Sequence, residues 1–145
     1  MANTCCWYET RIPESLMKSL LDDLDRVDEN IFIKSEVNPQ NSKIKDSVRK
    51  SQHCWIPTTH WIGGFLWHYI MKANKDNFLY DISDIENDMI QYTQYNKGDF
   101  YKWHTDMDIC DVNEPDQLVR KLSFTLQLTN EDEYTGGNLE FADFD

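Results

Sequence analysis

Tyr95-Asn96-Lys97-Gly98-Asp99-Phe100-Tyr101-Lys102-Trp103-His104-Thr105-Asp106 is the stretch on which the reading of this chain turns. Ahead of it, Met89 to Tyr95 alternates around Gln and Tyr with high strand propensity. Asn96-Lys97-Gly98-Asp99 is a turn with a glycine available for positive φ, so Phe100 to Asp106 is predicted as the second strand of a hairpin. Side chains alternate along a strand, which places His104 and Asp106 on one face, their Cα atoms roughly 6.5 Å apart. Metal–ligand bonds of about 2 Å let both reach one ion. A His and a carboxylate with room for a third ligand fit the facial triad that leaves open positions on iron(II). Taken alone, His-x-Asp is more often an ordinary polar face or a His–carboxylate hydrogen bond.

Downstream, Arg120 to Thr129 alternates strictly, with Leu122, Phe124, Leu126 and Leu128 on one face and Ser123, Thr125, Gln127 and Thr129 on the other. That pattern predicts a half-buried strand. A turn around Gly136-Gly137 and a further strand from Asn138 to Phe141 follow, while Met107 to Asp116 reads as a polar loop. Upstream, Thr10 to Val27 is predicted as an amphipathic helix, with Pro13 in its first turn and Leu16, Met17, Leu20, Leu21, Leu24 and Val27 as its packing face. Ile31 to Ile33, His53 to Ile56 and Asn77 to Tyr80 are short strand candidates, and Ser35 to Ser51 reads as a loop. A second helix from Thr59 to Asn74 buries Ile62, Phe65, Leu66, Tyr69, Ile70 and Ala73. Gly63 and Gly64 weaken its first turn and allow another element to come close. His60 and His68, eight residues apart, are not the i, i+4 pair of a helical metal site. Asp81, Asp84, Glu86 and Asp88 read as a solvated acidic loop.

A chain of 145 residues is one domain by size. An apolar fraction of 40% with 13% aromatics argues for a globular, soluble protein rather than a disordered one. The formal charge of -12 repels phosphate backbones and anionic lipid, so neither nucleic acid nor membrane is an expected partner. Lys43, Lys45, Arg49 and Lys50 form the one basic cluster, read as a solvated polar segment. Cys5, Cys6, Cys54 and Cys110 show no CxxC spacing, and no secretory or membrane-spanning apolar run is present, which points to reduced thiols and a cytoplasmic location.

Three blocks together resemble a family. They are Tyr95-x-x-Gly98-x-x-Tyr101-x-x-His104-x-Asp106, then Arg120-Lys121-Leu122-Ser123-x-Thr125-Leu126-x-Leu128, then Tyr134-x-Gly136-Gly137-x-Leu139-x-Phe141. The chain is similar over residues 89 to 141 to the iron(II)/2-oxoglutarate-dependent dioxygenases, above all the prolyl 4-hydroxylase-like and PKHD-type hydroxylases. The resemblance implies an α+β fold, N-terminal helices packed on a double-stranded β-helix or jelly roll. Residues 1–145 would be a single domain, 1–88 its helical N-terminal part and 89–145 the first half of the β-helix. It implies that His104 and Asp106 are two iron(II) ligands and that 2-oxoglutarate is the cosubstrate, with ascorbate in support. It further implies hydroxylation of a C–H bond in a small molecule or a peptide-borne residue such as proline. Tyr95 matches a cosubstrate-contacting tyrosine, and the alternative for it is an aromatic strand end packed on the core. Tyr101 and Trp103, on the face opposite His104, are expected in the core.

The pattern also departs from the family. A second His followed by a basic residue normally supplies the third ligand and the anchor for 2-oxoglutarate, and no His follows Asp106 here. Arg120 and Lys121 belong to the earlier block and do not carry over as that anchor. His53, His60 and His68 precede the pair and are better suited to core, capping or surface roles. The expectation is therefore an incomplete jelly roll lacking its C-terminal strands, completed in one reading by a separate chain. The competing functions are a non-catalytic binding module with an incomplete metal site and a cupin-like small-molecule binder.

Overall fold

Helix α1 (Glu14–Asp25) starts directly after Pro13, whose fixed φ suits helix entry, and Glu14 puts negative charge in the first turn. In the computed structural model the described residues are 12–27, 31–35, 48–106 and 119–142. Thr10, Cys5, Cys6, Cys110, Lys43, Lys45, most of the loop expected between Ser35 and Ser51 and that from Met107 to Asp116 lie outside them. Helix α2 covers Trp61–Ala73, and the strands are β1 (Ile33–Lys34), β2 (Arg49–Lys50), β3 (Gln52–Pro57), β4 (Met89–Gln94) and β5 (Phe100–Tyr101). They form two antiparallel sheets, one ordered β1-β3-β4 and the other β2-β5, so the architecture is mixed α+β. Among the described residues no helix is long and apolar enough to cross a membrane.

The core lies where one face of the central strand β3 meets both helices. Cys54 and Ile56 cluster with Leu20 and Leu24 of α1 and Ile62 and Leu66 of α2, with Met17, Val27, Phe32, Phe65, Ile90, Tyr92, Leu126 and Leu128 packed around them. Truncating any one of the buried Leu or Ile side chains to Ala costs about 2–5 kcal/mol. The periodicity of both helices accounts for this cluster, except that Leu21 stays exposed. Gly63 is required at its position: a Cβ there would stand 2.2 Å from the Thr58 carbonyl oxygen, whereas one at Gly64 would meet nothing.

Several expected strands are absent. Asn77 to Tyr80 is not extended: α2 runs on into a π-helical turn, Asn74–Phe78, and Leu79 then takes φ 58°. The buried Asn74 side chain satisfies Tyr80 as a strand neighbour would, donating to its carbonyl and accepting from its N–H, both at 2.8 Å. Arg120 to Thr129 forms no ladder, although Leu122, Leu126 and Leu128 are part-buried while the alternate residues are exposed. Leu139 and Phe141 likewise lie outside any strand and are exposed.

The hairpin is the most consequential correction. The turn exists, with Asp99 N–H donating to the Asn96 carbonyl at 2.9 Å and Gly98 at φ 82°. It does not return the chain onto β4, however. The β4 strand pairs with β3 over its whole length, and β5 crosses to β2, with Arg49 opposite Tyr101 and Lys50 opposite Phe100. Lys50 Nζ reaches Asp99 Oδ1 at 2.9 Å, and the Asp99 side chain is only 6% exposed. The carboxylate also accepts from Asn96 N–H at 2.8 Å, and these two bonds hold it below the usual carboxylate range. Arg49 and Lys50 are thus part of a strand, in which Lys50 stays exposed while Arg49 is half-buried.

Candidate metal centre

The β2-β5 ladder ends where Lys102 N–H donates to the Val48 carbonyl at 2.9 Å. The Lys102 carbonyl is taken by the His104 side chain, whose Nδ1 lies 2.7 Å away, and the chain bends at Trp103 instead of continuing as a strand. A local side-chain bond of this kind competes with the ladder for the backbone. His104 and Asp106 therefore do not share a strand face, yet their side chains still converge, with Nε2 3.1 Å from Oδ1.

The hydrogen bonds around that pair restrict its chemistry. A carbonyl can only accept, so Nδ1 carries the proton, and in the neutral imidazole Nε2 presents a lone pair to the Asp106 carboxylate. Two acceptors at this distance repel unless a proton or a cation lies between them. Two cis ligands bound at about 2.1 Å stand about 3 Å apart, so the donor set and its spacing fit a divalent ion. An imidazole whose Nδ1–H is held by a backbone carbonyl is the supported form of such a ligand. Both side chains are open to solutes, 33% and 47% exposed.

Tyr101 stacks flat on the His104 ring, centroids 3.5 Å apart and planes within 11°. The bend at Trp103 brings the rings together, so Tyr101 leaves the core role expected of it, and Trp103 is exposed. The Arg49 guanidinium lies over the Tyr101 ring, 4.7 Å from its centroid. Its Nε donates to Ser51 Oγ at 2.9 Å and its Nη2 to Gln91 Oε1 of β4 at 3.0 Å. Burial pushes the Tyr101 phenol up; Arg49 opposes the shift, while Asp106 and Tyr95 add to it. Tyr95 is half-exposed just beyond β4, outside the core.

Arg120 braces the carboxylate side. Its Nη1 donates to the Asp106 backbone carbonyl at 3.1 Å, and its Nε and Nη2 both donate to Glu86 Oε2. Glu86 thereby gains a partner, while Asp81, Asp84, Glu86 and Asp88 all stay exposed, as expected of a solvated acidic run. Two open clefts flank the pair. One, of about 340 Å³, is lined by Tyr80, Asp106 and residues 119–123, and the other, of about 380 Å³, by Trp103, His104, Thr105, Glu140, Phe141 and Ala142.

The other histidines take one each of the roles expected of them. His53 is buried and bonded through Nδ1 to Ser35 Oγ at 2.7 Å; burial, then the positive charge of Arg49, lowers its pKa. His60 caps α2, accepting from Ile62 N–H at 3.3 Å, and His68 is exposed on the helix. Among the described residues no group of three or more His, Cys, Asp or Glu side chains is placed to hold a metal ion. Arg49 and Glu86 stand in charge runs that the sequence marks only as solvated; their partners appear once the fold brings distant segments together.

A short irregular segment offering one imidazole nitrogen and one carboxylate oxygen defines a candidate divalent-metal site of the N,O type. The family model described as the 2OG-Fe(II) oxygenase superfamily matches residues 90–145, which include the pair and every lining residue of the two clefts except Tyr80, but less than half of the chain. No curated protein and no solved structure gives a significant match.

Proposed function

We propose that the chain carries part of an iron(II)- and 2-oxoglutarate-dependent oxygenase domain, the first half of a double-stranded β-helix, with His104 and Asp106 as two iron ligands. The observation that carries this reading is the convergence of His104 Nε2 and Asp106 Oδ1 at 3.1 Å within the segment matched by the oxygenase family. Iron(II) held there would, with 2-oxoglutarate and dioxygen, supply C–H hydroxylation, one oxygen atom of dioxygen going to the substrate and the other to succinate, with release of carbon dioxide. The chain's own residues fix and orient: the Lys102 carbonyl holds the His104 tautomer, and Arg120 holds the Asp106 backbone. The Asp106-side cleft carries Lys121 and Ser123 and suits the dicarboxylate cosubstrate; the resemblance alone adds the half-exposed Tyr95 as a further cosubstrate contact. On the other side, Trp103 and Phe141 offer aromatic walls that suit an apolar substrate group such as a peptide-borne prolyl ring.

The test is succinate formation from 2-oxoglutarate by the 145-residue chain with iron(II) and ascorbate, in wild type, His104→Gln and Asp106→Ala. Turnover in wild type that falls to background in both variants is the expected result; output unchanged in both sinks the assignment. A second reading is favoured by the lack of a third ligand among the described residues: a non-catalytic binding module with weak metal affinity. Metal binding by wild type with no succinate at any 2-oxoglutarate concentration selects it.

A further inference from the structure

We infer that Tyr101 and Arg49 are positioning residues for His104, a stacked column through which the two sheets set the plane of the metal-binding imidazole. The inference rests on the reading of His104 as a ligand, and it adds residues outside the matched segment to the machinery of that site, since Arg49 and Ser51 precede residue 90. One hydrogen bond from Nδ1 to the Lys102 carbonyl fixes the tautomer and leaves the ring free to swing about that bond. The Tyr101 face, 3.5 Å away and nearly parallel, removes that freedom. Tyr101 needs a support of its own because it sits at the last residue of a two-residue strand and is partly exposed. Arg49, directly opposite it in the β2-β5 register, supplies that support through its guanidinium over the ring. Gln91, which accepts from Arg49, lies on β4 and is also bonded by Thr93 Oγ1 at 3.1 Å, so the column is tied to the larger sheet. Nε2 is thereby aimed at Asp106 before any metal arrives, and less of the binding free energy is lost to ordering the ligand.

Two measurements on the full chain test this. In the metal-free protein, the His104 Cε1–H resonance, assigned by its loss in His104→Gln, should lie upfield because of the Tyr101 ring current. It should stay there in Tyr101→Phe and move downfield in Tyr101→Leu. Mn(II) titration, followed by paramagnetic broadening at Asp106 and neighbouring backbone amides, should give affinity about tenfold weaker in Tyr101→Leu, with near-complete recovery in Tyr101→Phe. Arg49→Gln, which keeps the aromatic ring, provides the second variant should Tyr101→Leu unfold, and is expected to weaken Mn(II) in the same direction. A His104 resonance indifferent to Tyr101→Leu or to Arg49→Gln, or Mn(II) affinity unchanged in both folded variants, overturns the column. If His104→Gln abolishes Mn(II) binding in that case, the ligand reading survives without it. If His104→Gln leaves Mn(II) binding unaltered, the ligand reading fails and the column loses its role with it.

Discussion

Replacing Gly63 and Gly64 one at a time by alanine should move stability in opposite directions. Alanine in place of glycine in a helix gains about 1 kcal/mol from propensity alone. At Gly64 nothing lies within 4 Å of the added Cβ, so the gain is kept, about 0.5–1 kcal/mol near a helix start. At Gly63 the Cβ would meet the Thr58 carbonyl oxygen at 2.2 Å and its carbon at 2.9 Å. These are backbone atoms of the turn between β3 and α2, and Thr58 N–H is itself committed to the Asp88 carbonyl at 2.9 Å, so no flexible side chain can give way. Overpacking of this kind costs about 1–3 kcal/mol. Taking the upper part of that range, the net loss is about 2 kcal/mol, which leaves the two variants about 3 kcal/mol apart. For a chain of this size that is roughly 10 °C in Tm by circular dichroism. A Gly63→Ala protein melting at or above wild type would refute the close approach of the Thr58 turn and the seat of α2 on the sheet that follows from it.

Two further outcomes follow from charge. His53 is held neutral by burial and by Arg49, its pKa below the ordinary value near 6.5, so the unfolded chain binds the extra proton first. Stability should be full above about pH 6.5 and fall as pH drops from there toward the folded pKa; chemical denaturation of His53→Gln should lack that limb. Asp99 has the opposite chemistry but the same sign. Its depressed pKa contributes stability that is present above about pH 4 and lost as pH falls through the folded value. Asp99→Asn should therefore cost about 0.5–1 kcal/mol at pH 7, with the gap to wild type closing below about pH 4 in urea titrations.

Local pattern reveals the helices and the chemistry-bearing pair more readily than the sheets. The stripes Leu20-Leu24 and Ile62-Leu66 declare their buried faces, because a helix closes its own hydrogen bonds and only its outward periodicity must match the core. Strand pairing depends on a partner far along the chain, and here Arg49 and Lys50, whose local pattern is only that of a solvated basic cluster, capture β5 while β3 captures β4. Alternation from Arg120 to Thr129 reports one-sided burial, as the part-buried Leu126 and Leu128 show, and says nothing about whether a ladder forms. The His104–Asp106 pair emerges from its residue types despite a wrong backbone premise: a bend, not a strand, brings the two side chains together. Tyr101, Arg49 and Glu86 are invisible to that reasoning because each owes its place to a contact between segments tens of residues apart.

The crossing of β5 to β2 bears on how this protein can be divided. The family match begins at residue 90, inside β4, yet β4 finds its hydrogen-bonding partner in residues 52–57 and β5 finds its own in residues 49–50. A peptide cut at the start of the match would carry both candidate ligands and leave every strand in it without the neighbour it pairs with. The recognisable module and the cooperative folding unit therefore have different boundaries, and exchange of the matched segment between such chains would have to carry residues 48–57 along.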